Sequence, residues 1–88
     1  MKVAFETSFA RDLKRIRDKH LLQQVQQVIE SIQAAATLDA VANLKKMQGY
    51  ATFYRLRLGD YRIGIEVVDE QVIFVRFLHR KDVYRYFP

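Results

Sequence analysis

Hydrophobic positions recur along this chain with two different periods, and the change of period divides it in half. Val3 and Phe5 alternate within Lys2–Phe5, as in a short opening strand. Phe9, Leu13 and Ile16 follow at steps of four and three residues, with Arg11, Lys14, Arg15 and Arg17 between them. That spacing keeps the apolar side chains on one side of a 3.6-residue turn and predicts an amphipathic helix. Thr7 or Ser8 can open it, because a short side-chain oxygen accepts from a backbone N–H that the first turn leaves free. Asp18 can cap a second helix in the same way. Its apolar stripe is Leu22, Val25, Val28, Ile29 and Ile32, and its solvated face is Gln23, Gln24, Gln26 and Gln27. Both helices fall within residues 8–36. Thr37–Asn43 follows neither period and reads as an irregular connection or a single turn, after which Leu44 and Met47 are expected to plug the core edge.

From Thr52 the period is two. Thr52–Leu58, Tyr61–Val68 and Val72–Leu78 are rich in β-branched and aromatic residues and are separated by turn signals. Gly59-Asp60 suits a two-residue hairpin loop with glycine first, as a type II′ turn prefers. Asp69-Glu70-Gln71 reads as a three-residue turn. The expected fold is therefore α+β, in the order β-α-α-β-β-β. A two-helix hairpin packs on one face of a small, mainly antiparallel four-stranded sheet, and the whole chain forms one domain.

Strict alternation then sorts the side chains. The two-residue loop sets Leu58 opposite Tyr61, Arg57 opposite Arg62 and Arg55 opposite Gly64. Tyr54, Leu56, Leu58, Tyr61, Ile63, Ile65 and Val67 face the helices; Arg55, Arg57, Arg62 and Glu66 face away, with a gap at Gly64. A three-residue second turn adds Phe74 and Arg76 to the arginine face, whereas a two-residue turn would put them behind it. The three-residue register is expected because it keeps Ile73, Val75 and Phe77 in the core. Like charges directly opposed across strands are unfavourable, so packing gives no reason for Arg57 to face Arg62. Guanidinium groups gathered on an open sheet face do suit a phosphate, to which each offers paired donors. The plainer alternative is a solvated face partly neutralised by Glu66.

Charge sharpens that reading. The chain carries 15 Lys and Arg against 10 Asp and Glu, a formal net charge of +5. Residues 1–44 hold six basic and five acidic side chains, and residues 45–88 hold nine and five. The excess lies in the half that carries the arginines, which suits a polyanion or an acidic protein. With no cysteine and two distant histidines, disulfide, thiolate and metal-ligand patterns are not written in the chain. There is no glycine-rich phosphate loop, no nucleophile elbow and no paired carboxylates. No apolar run reaches the ~18 residues that would span a bilayer, and the first residues lack a signal peptide's apolar stretch, so a cytoplasmic location is expected.

After the last strand comes His79-Arg80-Lys81-Asp82-Val83-Tyr84-Arg85-Tyr86-Phe87, placed to fold over the rim of the basic face. His79 is either a structural histidine or a group titrating near neutrality. Tyr84 either stacks on a base or plugs the core from a one-turn helix capped by Asp82. Tyr86 and Phe87 are expected to pack, and His20 to be structural. Arg, Lys, His and Tyr suit cleavage of RNA by its own 2′-hydroxyl. That reaction needs the oxygen held in line, a dianionic phosphorane stabilised and the leaving 5′-oxygen protonated.

The run Tyr54-Arg55-Leu56-Arg57-Leu58-Gly59-Asp60-Tyr61-Arg62-Ile63, with His79-Arg80-Lys81-Asp82-Val83-Tyr84 after the last strand, resembles the RelE/ParE superfamily of toxins from prokaryotic toxin–antitoxin modules. The likeness covers essentially the whole chain. RelE-like members are ribosome-dependent endoribonucleases that cut mRNA in the A site; ParE-like members poison DNA gyrase on the same fold. On the RelE-like reading the resemblance implies phosphate contacts from Arg55 and Arg57 and transition-state stabilisation by Arg62. It also implies a general-acid role for Arg80 and nucleotide stacking by Tyr84. Arg57 stands where such toxins often have a lysine proposed as general base. A guanidinium is a poor base, so either His79 or Tyr84 takes the proton or Arg57 acts only electrostatically. Arg76, Lys81, Lys45 and Lys46 complete the expected RNA-binding set. The implied partners are a cognate antitoxin, the ribosome and mRNA, with no cofactor, metal or membrane. A gyrase inhibitor and a catalytically silent RNA- or protein-binding member are the alternatives.

Overall fold

The computed structural model describes residues 1–88. Its elements run β1 (Lys2–Phe5), α1 (Thr7–Lys14), α2 (Lys19–Ala34), a 3-10 turn (Leu38–Ala40), β2 (Leu44–Lys46), β3 (Phe53–Leu58), β4 (Tyr61–Val68), β5 (Gln71–His79) and α3 (Val83–Tyr86). The sheet order is β1-β5-β4-β3-β2, with β1 parallel to β5 and every other pair antiparallel. The sheet thus has five strands where four were expected. The extra one is β2, which the alternation missed because three residues are too few to establish a period.

The helices bury most of the stripe their spacing indicates, with Leu21 rather than Leu22 packed on the core at the start of α2. Phe9, Val25, Ile29 and Ile32 pack on Leu56, Ile63, Ile65, Val72, Phe74 and Phe77, all nearly inaccessible. Asp18 caps α2 as expected, its Oδ1 accepting from the Leu21 N–H at 3.1 Å. At α1 the cap position is Glu6, and Thr7 and Ser8 lie within the helix. The Ser8 hydroxyl is diverted to the Val75 carbonyl, 2.6 Å away.

The β3–β4 hairpin has the expected register, including Arg57 opposite Arg62 and Arg55 opposite Gly64. Gly59 supplies the positive φ (59°) of its loop. The second hairpin corrects the expectation. Val68 pairs with Gln71, so the turn has two residues, Asp69 and Glu70, both at positive φ. That register sends Phe74 into the core rather than onto the arginine face. A one-residue bulge then intervenes: Ile65 pairs with Phe74 but Gly64 with Arg76, which leaves Val75 unpaired. The bulge restores Phe77 to the core, while the two-residue turn puts Ile73 and Val75, expected in the core, on the opposite face.

That opposite face carries a second small core. Val83 and Phe87 pack with Met47 against Phe53, Val75 and Leu78, so the tail does fold back over the sheet. Its plugs are Val83 and Phe87. Tyr84 remains 67% exposed and Tyr86 51% exposed, so neither packs inside. A Cβ on Gly64 would come within 2.8 Å of three Phe87 ring atoms, so the gap expected at this glycine is the seat of that ring.

Candidate functional site: a cation-lined cavity on the outer sheet face

Three neighbouring strands assemble the site. On β3, Arg55 and Arg57 alternate outward on either side of buried Leu56, and Arg62 on β4 faces Arg57. On β2, Lys45 lies opposite Arg55. Asn43, at φ 63°, precedes β2, and its carbonyl accepts from the Arg57 N–H at 3.0 Å. Asn43, Leu44, Lys45, Arg55, Arg57 and Arg62 line an open cavity of about 400 Å³. Sequence reasoning passed over Asn43. Its side chain tolerates the left-handed conformation needed to enter a short edge strand, and that was the available signal.

No ion pair neutralises Arg55, Arg57 or Arg62. The Arg62 Nη1 donates to the carbonyls of Gly59 (2.9 Å) and Tyr61 (2.8 Å), which fixes the side chain at the hairpin end. Its pKa is pushed below the ordinary arginine value, first by burial and then by the charges of Arg55, Arg57 and Arg80; the Tyr84 phenol acts in the opposite sense. The three guanidinium groups thus share the cavity wall with no carboxylate paired to them. Tyr84 stands at its rim, with the Arg55 Cζ 5.1 Å from the ring centroid. Arg80 belongs to the same end of the sheet: its N–H donates to the Asp60 carbonyl at 2.7 Å, and its Nε lies 3.8 Å from the Asp60 carboxylate.

Other expected residues lie elsewhere. Arg76 is drawn to α1, where its Nε donates to the Asp12 Oδ2 at 2.7 Å and its Nη2 to Oδ1 at 3.2 Å. The hydrogen bond to Asp12 raises the Arg76 pKa, against a smaller effect of burial. This arginine secures the fold and does not join the cavity. Lys46 pairs with Tyr54, which packs with the helix-side core, so its register puts it on the far face of the sheet. His79 pairs with Tyr61 and meets that ring edge-on at 5.4 Å. Tyr61 itself stacks on Phe77, so His79 is a helix-side residue, turned from the arginines. Its Nδ1 accepts from the Lys81 N–H at 3.2 Å, and Lys81 is exposed in the turn after β5.

A five-stranded sheet with two helices on one face and an unneutralised arginine cavity on the other defines a small α+β protein with free cations gathered on one sheet face. Residues 3–84 match the family described as "ParE toxin of type II toxin-antitoxin system, parDE". The chain is 45% identical over 89 residues to Toxin RelE3 of Methanocaldococcus jannaschii, with both sequences fully covered. It superposes on a chain of the RelB–RelE antitoxin–toxin complex from Methanococcus jannaschii with a TM-score of 0.82 and 41% identity, over 97% of this chain and 99% of that one. The archaeal RelE–RelB complex from Pyrococcus horikoshii OT3 shares the fold, with a TM-score of 0.73 at 19% identity over 90% and 93% of the two chains. The chain belongs to the RelE/ParE superfamily of type II toxin–antitoxin toxins. No helix is long and apolar enough to cross a membrane.

Proposed function

We propose that this toxin is a ribosome-dependent endoribonuclease that cuts mRNA in the cytoplasm through the RNA's own 2′-hydroxyl and so stops translation. The supporting observation is the convergence of Lys45, Arg55, Arg57 and Arg62 on one open cavity, with Tyr84 at its rim. A phosphodiester carries one negative charge, and its phosphorane transition state carries two. Cations fixed in advance around it therefore gain most at the transition state. Arg57 and Arg62, paired across adjacent strands, can hold one phosphate between them, and its arrival relieves their repulsion. The exposed Tyr84 ring, backed by the Arg55 guanidinium, offers a platform for the base beside the cleaved bond. Arg80 is the proton donor to the leaving 5′-oxygen.

An antitoxin is the expected regulatory partner, since relatives of this fold are solved as antitoxin–toxin complexes. The match to the ParE family supports a second reading, gyrase inhibition, in which the cavity need not be catalytic. Cell-free translation followed by primer extension separates them. Nuclease activity gives ribosome-dependent cuts within codons, with fragments ending in a 2′,3′-cyclic phosphate and a 5′-hydroxyl. Intact mRNA together with trapped gyrase cleavage complexes supports the second reading. A 5′-phosphate would identify water as the nucleophile and refute attack by the 2′-hydroxyl.

A further inference from the structure

Cleavage by a 2′-hydroxyl requires a group to take that proton, and neither Arg57 nor His79 serves. Arg57 is a guanidinium, which has no lone pair free to accept a proton. His79 is on the other side of the sheet. The residues that line the cavity leave one candidate besides Tyr84 at the rim. The Asn43 amide and Leu44 offer no base, and the guanidinium groups of Arg55, Arg57 and Arg62 are poor proton acceptors. Lys45 differs in kind: a primary amine releases its proton far more readily than a guanidinium, and when neutral it has a lone pair to accept one. Its position is fixed by register, directly opposite Arg55 on the short edge strand, and its side chain is exposed to an arriving ligand.

We infer that Lys45 is the proton acceptor for the attacking 2′-hydroxyl, a role that rests on the nuclease reading above. The neutral amine takes the proton as the bond from O2′ to phosphorus forms. Arg57 and Arg62 hold the charge that gathers on the phosphoryl oxygens. The bond from phosphorus to O5′ breaks, and Arg80 supplies the proton that this oxygen needs. The Lys45 ammonium and the deprotonated Arg80 then restore one another through solvent, so protons and electrons balance without a co-reactant. The charged groups that line the cavity with Lys45 are Arg55 and Arg57 from β3 and Arg62 from β4; from the tail, Tyr84 lies against Arg55 and Arg80 acts on Arg62. The base has moved, in effect, to the strand beside the one where Arg57 replaces the lysine of related toxins.

Single-turnover cleavage on programmed ribosomes across roughly pH 6–9 tests this, using the full chain. Lys45→Arg keeps the cation but removes the base. Its rate is expected to fall by ~10²-fold or more and to lose the rise with pH, while half-saturation shifts by no more than about threefold. Tyr84→Phe is expected to keep the rise with pH. Lys46→Met, which removes a charge from the other face, is expected to match the wild type. A Lys45→Arg protein with the wild-type rate and slope overturns the inference. So does a Tyr84→Phe protein that loses the slope while Lys45→Arg keeps it. A wild-type protein that leaves mRNA intact overturns the nuclease reading itself and this role with it.

Discussion

Arg57 and Arg62 oppose one another across β3 and β4 without a carboxylate to separate them. Such a pair costs folding free energy, so relieving it stabilises the protein. Arg57→Gln is expected to raise stability by roughly 0.2–1 kcal/mol, read as a melting temperature a few degrees higher. The same change is expected to slow cleavage by ~10²-fold, because a preorganised donor to the phosphorane is lost. A variant that is both less stable and fully active would show that the arginines serve the fold. This pair was legible in the sequence, since a two-residue Gly59-Asp60 loop fixes it. His79 was misplaced because the sequence reading ended the last strand at Leu78, whereas β5 runs through His79 and alternation carries it to the Phe77 side. His79→Gln is therefore expected to leave both the cleavage rate and its pH profile unchanged. A flattened neutral limb in that variant would restore the histidine to the chemistry.

At the scale of elements, two features hidden from a periodicity reading align the site. One is the bulge in β5. Past Phe74 this strand has no partner in β1, and α1 takes over that edge: Ser8 binds the Val75 carbonyl, while Asp12 accepts from the Phe77 N–H (2.9 Å) and from Arg76. Asp12 is 6% exposed, so Asp12→Ala strands a buried N–H as well as a guanidinium. A loss of about 3 kcal/mol is expected in urea unfolding. Because Arg76 has its pKa raised, its stabilisation persists at all pH values below the unfolded arginine pKa and fades only above the folded one, so the pair gives no alkaline transition in the working range. The other feature is the tail, whose Phe87 ring rests on Gly64. Gly64→Ala is expected to lift that ring, displace Tyr84 from Arg55 and reduce cleavage at a cost of about 1–3 kcal/mol in stability. Phe87→Leu in the same chain is expected to restore part of both, as a double-mutant cycle reports. Sequence spacing gave no warning of either feature: a bulge breaks the alternation it would be read from, and a ring over a glycine is a contact between residues far apart in the chain.

At the scale of the whole molecule, the sequence exposed the charge excess in the second half, and the fold decides which cations count. Neighbouring lysines part company at β2: Lys45 enters the cavity, and Lys46 is turned from it. Arg76 is consumed by Asp12. If binding is focused on the outer face, affinity for a short single-stranded RNA depends on a few phosphate contacts rather than on the net charge of +5. Counterion release then predicts a slope of log K against log salt near −2 to −3, at ~0.7 per contact on a single strand for three or four contacts. Removing Arg55, Arg57 or Arg62 singly is expected to flatten that slope by ~0.7, whereas Lys46→Ala is expected to leave it unchanged. Fluorescence anisotropy over a salt series measures both. If Lys46→Ala flattened the slope as much as Arg57→Ala, attraction would be spread over the whole basic surface, and the cavity would lose its claim to the phosphate.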